Sequence, residues 1–274
     1  MVSLATDSLF DSKKTEKYIL SIQVCLDGFS FSVTDDTKAQ LLACGMVPAT
    51  ISSEKFLGRR FKEWVESEEL LKKPFGTTNI LFCSRKITLI PSVFYEFERQ
   101  KQIFEQNYGT QEDHAIRDNY LPDIKANLVF AVPKSLIETV DKLFPGCPVT
   151  HSIGLLHKKI QESQYLGNYK QLISLFFQKS SFSLLLYKDG QFIQHNSFDY
   201  QHQNDVAFYV LSVLKTMKIN SDGLKVVLAG NVTQNGDVHA ILSGYFEETE
   251  SLTPSVQFNK DVFKEPLHMF TPLV

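Results

Sequence analysis

His195, Asp199 and His202 are the nearest this chain comes to a metal-ligand cluster. Two imidazoles around a carboxylate suit a divalent ion in principle. H-x6-H across a strand-to-loop junction is no established ligand spacing, however, and no cysteine lies close in sequence. The expectation is ordinary polar histidines at a strand end, and no metal. His114, His151, His157, His239 and His268 are scattered. Cys25, Cys44, Cys83 and Cys147 are widely spaced and form no C-x-x-C pair, which predicts free, buried thiols in a reducing cytoplasm. No G-x-S-x-G elbow, no G-x-x-x-x-G-K-[ST] loop and no G-x-G-x-x-G turn occurs. The basic pairs Arg59-Arg60 and Lys72-Lys73 are diluted by Glu63, Glu66, Glu68 and Glu69, as on a solvated helix face.

Bulk properties narrow the classes further. The 274 residues suffice for two domains, and 43% hydrophobic with 22% charged residues is ordinary for a globular chain. A net charge of −3 advertises no nucleic-acid partner. No eighteen apolar residues run together and no basic n-region precedes an apolar run, so neither membrane insertion nor a signal peptide is expected. Phenylalanine is abundant, 22 against a single Trp, which predicts dense aromatic cores.

The elements follow from periodicity. Leu20, Ile22, Val24 and Leu26 alternate with Ser21, Gln23 and Cys25, the pattern of a strand. Asp27-Gly28 reads as a two-residue hairpin turn, with Phe29, Phe31 and Val33 on the returning strand. A third strand is predicted at 39–47. A helix to about Lys72 carries Leu57, Phe61, Trp64 and Val65 on one face. Residues 79–83 and 86–90 read as a hairpin joined at Ser84-Arg85. Pro91 opens a helix carrying Val93, Phe94, Phe97 and Phe104. Residues 110–118 read as a polar loop, and the stretch 109–123, with Glu112, Asp113, His114 and Tyr120, as the place for a family-specific contact. A strand at 126–132, a helix carrying Leu136, Ile137, Val140, Leu143 and Phe144, a strand near 147–152 and a helix with Leu156 and Ile160 complete the first half.

A shift of 151 residues carries Ile22 onto Ile173, Val24 onto Leu175 and Ser30-Phe31-Ser32 onto Ser181-Phe182-Ser183. Strands at 170–178, 181–187 and 190–198, a helix at 204–218, a strand at 224–229 and a helix at 236–247 then repeat the plan in shorter form. The tail from Ser255 offers one more strand and an irregular end with Pro266 and Pro272. The predicted organisation is a leader at 1–17, one α/β subdomain at 18–166 and a second at 167–274, with the boundary turn near Gly167-Asn168.

Two strand meanders, each followed by helix, strand and helix, resemble the duplicated ribonuclease-H-like core of the actin-like ATPase fold. Bacterial actin-like pilus-assembly and secretion proteins are similar, and the run Lys170 to Gly230, ending V-V-L-A-G, looks like their second half. The chain also looks like a bacterial family of unknown function with this fold, signature I-Q-V-C-L-D-G-F-S-F-S. The expected fold is therefore α/β: two actin-like subdomains, each a mixed sheet led by a β-meander with flanking helices, around a cleft.

The resemblance also says what an ATPase of this fold needs. Its first hairpin reads roughly I-D-I-G-[ST], an Asp for the Mg²⁺ shell and a Gly that lets backbone amides approach phosphate. Here Gln23 and Cys25 stand in those places. Its second hairpin reads D-V-G-x-[GS], where this chain has Ser174-Leu175-Phe176 and a turn at Lys179-Ser180. The adenosine motif keeps one glycine, in Ala229-Gly230-Asn231. A ribonuclease-H-type nuclease would need carboxylates on the first strand, whose interior has none. The expected protein is a non-catalytic cytoplasmic scaffold or adaptor with no cofactor and a protein partner. Self-association through a sheet edge is a further option. The alternative is a divergent nucleotide-binding protein using Asp27, Gly28, Gly230 and Asn231.

Overall fold

The computed structural model describes residues 3–35, 37, 39–232, 236–252, 254–264 and 273. Lys38, Pro266, His268 and Pro272 lie outside the described residues. The chain forms two compact units, one of residues 1–154, 256–262 and 273, the other of the remainder.

In the first unit the chain runs β1 (Ser3–Thr6), β2 (Ile19–Cys25), β3 (Gly28–Asp35), β4 (Gln40–Pro48), α1 (Leu57–Ser67), β5 (Thr77–Phe82), β6 (Ile87–Pro91), α2 (Gln100–Tyr108), β7 (His114–Leu121), β8 (Ala126–Pro133), α3 (Lys134–Leu143) and β9 (Val149–His151). Its main sheet has the order β1-β4-β3-β2-β5-β9, with β2, β3 and β4 an antiparallel meander and β5 parallel to both β2 and β9. Leu20, Ile22, Val24, Phe29, Phe31 and Val33 are buried, and Phe29 stacks on Trp64 of α1 at 5.1 Å between ring centres. The predicted face of α1 is the observed one: Leu57, Phe61, Trp64 and Val65 are all buried.

Four local expectations are corrected. The stretch read as a leader contributes β1, which pairs antiparallel with β4 from Ser3↔Met46 to Thr6↔Ala43. Four residues are too few for a periodic signal, so this edge strand was invisible locally. The runs near 79–83 and 86–90 do not form a hairpin. β5 joins the main sheet beside β2, whereas β6 pairs with β8 in a separate antiparallel sheet of order β6-β8-β7. The polar stretch read as a loop is mostly β7, which pairs with β8 along its length. As an edge strand it needs few apolar side chains: Ile116 packs against Ile90, Phe104, Val129 and Ala131, and Leu121 is buried on the opposite face. Finally, α2 begins only at Gln100. Val93 and Phe94 ride on one 3₁₀ turn and Phe97 on a second, and all three are exposed, leaving Phe104 as the buried anchor.

The chain continues with α4 (Ser152–Glu162), inside which the division between units falls at Gly154/Leu155, ahead of the Gly167-Asn168 turn chosen from sequence. His157 stacks on Tyr187 and hydrogen-bonds its hydroxyl at 2.8 Å, which ties that part of α4 to the second unit. Then come α5 (Tyr165–Asn168), β10 (Gln171–Phe177), β11 (Ser181–Lys188), β12 (Gln191–Asp199), α6 (Gln203–Met217), β13 (Lys225–Gly230), α7 (Asp237–Tyr245) and β14 (Glu248–Ser251). The sheet order is β12-β11-β10-β13-β14, antiparallel across the meander and parallel from β10 to β14. This reproduces β4-β3-β2-β5-β9 strand for strand. Ile173, Leu175, Phe177, Leu184 and Leu186 bury one face against Val206, Val210 and Val213 of α6 and Leu242 of α7. Among the described residues the tail strand is a bridge, Gln257 beside Gln40, in the first unit.

Candidate functional site

At the first hairpin, Cys25 pairs directly with Gly28, so the two-residue turn is Leu26-Asp27 and not Asp27-Gly28. The Asp27 carbonyl accepts the Ala49 N–H at 2.9 Å. Gly28 begins β3 at φ +149°, and a Cβ on it would overlap the Val47 carbonyl oxygen. Close approach of the chain's own backbone therefore explains this glycine. Behind the turn, Gln23 is buried and its Oε1 has no hydrogen-bond partner among the described residues. Cys25 is likewise buried.

The second hairpin turns at Gln178-Lys179-Ser180, with the Gln178 N–H donating to the Ser181 carbonyl at 2.8 Å. Ser174 on β10 is fully buried, and its Oγ also lacks a partner among the described residues. Gly230 ends β13 at φ +79°, where a Cβ would overlap the Phe177 carbonyl oxygen and stand 3.0 Å from the Phe176 ring. Asn231 is exposed and its N–H donates to the same Phe177 oxygen at 2.9 Å. Asp27 and Gly28 belong to the first unit, Gly230 and Asn231 to the second.

The histidines have separate structural tasks. His202 caps α6, its Nδ1 accepting from the Asn204 N–H, while the Asp205 carboxylate accepts from the His202 and Gln201 N–H groups. Those backbone donors hold Asp205 below the usual carboxylate range. His195 lies mid-strand on β12 with Ser197 Oγ at 3.4 Å. Among the described residues no group of three or more His, Cys, Asp or Glu is arranged to hold a metal ion. Cys25, Cys44 and Cys83 are buried and Cys147 half-buried, with burial raising the Cys147 thiol pKa.

His195 makes acid stability testable. Burial pushes its imidazole down to about 4. An unfolded histidine titrates near 6.5, so on acidification the unfolded chain takes up the proton first. Stability is then complete above about pH 6.5 and falls as pH drops towards 4, by about 3 kcal/mol at most. Urea unfolding at pH 7.5 and 4.5 should show a larger loss for the native chain than for His195→Gln; equal losses would remove His195 as the cause.

One cavity in the second unit was not anticipated. Its volume is about 560 Å³, and Lys159, Glu162, Tyr165, Tyr169, Lys225 and Ser255 are among its lining residues. Lys225, at the head of β13, is 3% exposed, with its ammonium 3.0 Å from Glu250 and 3.5 Å from Glu248 and over the Tyr169 ring at 5.0 Å. Burial opposes its charge, but the Glu250 hydrogen bond and charge, with the Tyr169 hydroxyl, outweigh it, so its pKa is raised. Lys159 Nζ lies 3.0 Å from Ser255 Oγ. Only Lys225, a charge opening an otherwise apolar strand, signalled this arrangement in the sequence.

Sheet order and connectivity of both units place the chain among proteins of the actin-like ATPase fold. A Bacteroides thetaiotaomicron protein of that fold and of unknown function superposes with a TM-score of 0.80 at 22% identity, over 93% of this chain and 97% of the other. The chain belongs to the family described as "Protein of unknown function (DUF3822)", which matches residues 7–249. A PilM–PilN type IV pilus biogenesis complex gives a TM-score of 0.62 at 10% identity, over 92% of this chain and 94% of its counterpart. The ethanolamine utilization protein EutJ from Carboxydothermus hydrogenoformans gives 0.52 at 9% identity, over 97% and 91%. No curated protein matches the chain. No helix among the described residues is long and apolar enough to cross a membrane.

Proposed function

We propose that this protein is a non-catalytic member of the actin-like fold that acts as a cytoplasmic scaffold for a protein partner. The carrying observation is the pair Gln23 and Ser174. By the resemblance to ATPases of this fold, they take the positions of the metal-facing carboxylates, and both are neutral and buried. Neither brings the anionic oxygen that Mg²⁺ requires. Gly28 and Gly230 support the same reading, since their missing side chains answer to Val47 and Phe177 and not to a phosphate. For the partner, the support is a cluster of exposed apolar side chains at Val93, Phe94 and Phe97, respectively 83%, 72% and 66% exposed. Such groupings mark interaction surfaces more often than isolated exposed residues do. PilM, of similar fold, is known in complex with a protein, PilN.

A thermal-shift titration with ATP, ADP and Mg²⁺ tests the first half. A specific ligand at a hundred times its dissociation constant adds about 2.7 kcal/mol of stability. The expected response is flat. A saturable shift that disappears in Asp27→Ala would instead establish the nucleotide reading at Asp27, Gly28, Gly230 and Asn231. For the second half, Phe94→Asp with Phe97→Asp should change stability by no more than about 0.5 kcal/mol, as exposed substitutions do. The same variant should lose the partner cross-linked to the native chain; retained cross-linking would exclude this surface.

A further inference from the structure

We propose that two copies of this protein pair through the outer edge of the second sheet. β12 of one copy lies antiparallel to β12 of the other, about a twofold axis at Asn196. This contact stands apart from the scaffold reading and from the surface at Val93, Phe94 and Phe97. The three sheets leave six outer strands among the described residues, and five are poor templates for a further strand. β1, β9 and β14 have four, three and four residues, and β14 carries Glu248 and Glu250. β6 ends in Pro91, and β7 carries Arg117 and Asp118. β12 has nine residues, and from Gln191 to Phe198 it holds no Asp, Glu, Lys, Arg or Pro.

The backbone of β12 faces outwards at defined places. Tyr200 N–H donates to the Ser180 carbonyl, which makes 180 and 200 a hydrogen-bonded antiparallel pair. Alternation from there gives Phe198 and Asn196 as the next residues bonded to β11. His195 and Ser197 therefore direct both N–H and C=O away from the sheet, and those groups take no partner among the described residues. The first unit shows what fits such an edge. Register sets Cys44 opposite Ser32 as it sets Ser197 opposite Ser183, so β4 and β12 correspond. β1 lies antiparallel on 43–46 of β4, which match 196–199 of β12, where no further strand pairs among the described residues.

A second copy suits this edge. Pairing about Asn196 sets His195 against Ser197 of the other copy, and the reverse, for four backbone hydrogen bonds. Gln194 then meets Phe198, and no like charges oppose each other along the strand, as a self-complementary contact requires. At the axis the two Asn196 residues form a non-hydrogen-bonded pair, with Cα atoms about 4.5 Å apart. Asn196 Oδ1 is buried without a partner among the described residues, and the amide of the second Asn196 supplies one. Next to the same edge, Phe208 of α6 is 66% exposed; its ring touches Tyr209, which stacks on Phe198 at 4.5 Å.

Sedimentation velocity of the full-length protein from about 1 µM to about 200 µM should show a monomer–dimer equilibrium. Ser197→Pro removes an outward N–H that no bond within the monomer uses, and an edge strand tolerates proline there. It should keep the native circular dichroism spectrum and weaken dimerisation by about tenfold or more, because the twofold deletes two hydrogen bonds at once. Cysteine reads the register. Under oxygen with copper–phenanthroline, Asn196→Cys should form a covalent dimer well beyond the level of the native chain. Gln194→Cys, about 13 Å from its mate, should not. If Ser197→Pro does not fold, the cysteine pair decides alone. A monomer throughout the range, a dimer unchanged by Ser197→Pro, or equal cross-linking at both positions would each overturn the proposal.

Discussion

Gly230→Ala is expected to destabilise the protein by about 3 kcal/mol or more, with no ligand present. Left-handed backbone at φ +79° costs a non-glycine residue about 1–2 kcal/mol. Overlap of the new methyl with the Phe177 carbonyl oxygen adds a steric cost. Relief requires β10 and β13 to part at Phe177↔Gly230, where strands buried on both faces meet. Urea unfolding followed by circular dichroism measures the loss, and Asn231→Ala, on the exposed neighbour, should sit within about 0.5 kcal/mol of the native chain. A loss below about 1 kcal/mol for Gly230→Ala would mean that this junction relaxes freely, and the backbone explanation of the glycine would fall.

Phe61→Ala is expected to cost about 3–5 kcal/mol, the range for removing a buried aromatic ring. Phe61 has no exposed surface and touches three rings: Phe29 at 5.8 Å, Trp64 at 6.1 Å and Phe144 at 6.3 Å between centres. Its loss leaves a void between α1 and the meander that those rings cannot all fill. Phe61→Leu should recover much of the stability, because leucine refills most of the space that alanine leaves empty and the residual void is smaller. The variants separate in a denaturant titration. Equal midpoints for the alanine and leucine chains would show that the cluster collapses around the gap.

Much of the scaffold was readable because its signals are local. The β2–β3–β4 meander alternates in type, and the α1 stripe from Leu57 to Val65 has helical spacing. Alternation marks the strand but not a wet face: Ser21 and Gln23, polar and alternate, are 8% and 7% exposed. Pairing was harder. β5 and β6 are consecutive apolar runs, and only contacts with the distant β2 and β8 assign them to different sheets. Val93, Phe94 and Phe97 read as part of a helix because composition cannot tell an anchored helix from two exposed 3₁₀ turns. The same limit hid the Lys159 cavity, whose walls come from α4, α5, Tyr169, β13, β14 and the segment at Ser255.

The return of Gln257 to Gln40 bears on how the chain is made. Leu41 N–H donates to the Gln257 carbonyl, Gln257 N–H to that of Ala39, and the Ser32 hydroxyl to that of Leu273. The first unit thus draws on residues translated after β10 to β14. On the ribosome, the strands and helices of the second unit have all emerged before the first has its full set of backbone partners. Until that tail follows, the Gln40 end of β4 waits with its Leu41 amide unpaired by Gln257, a window in which a chaperone or a neighbouring nascent chain would find it.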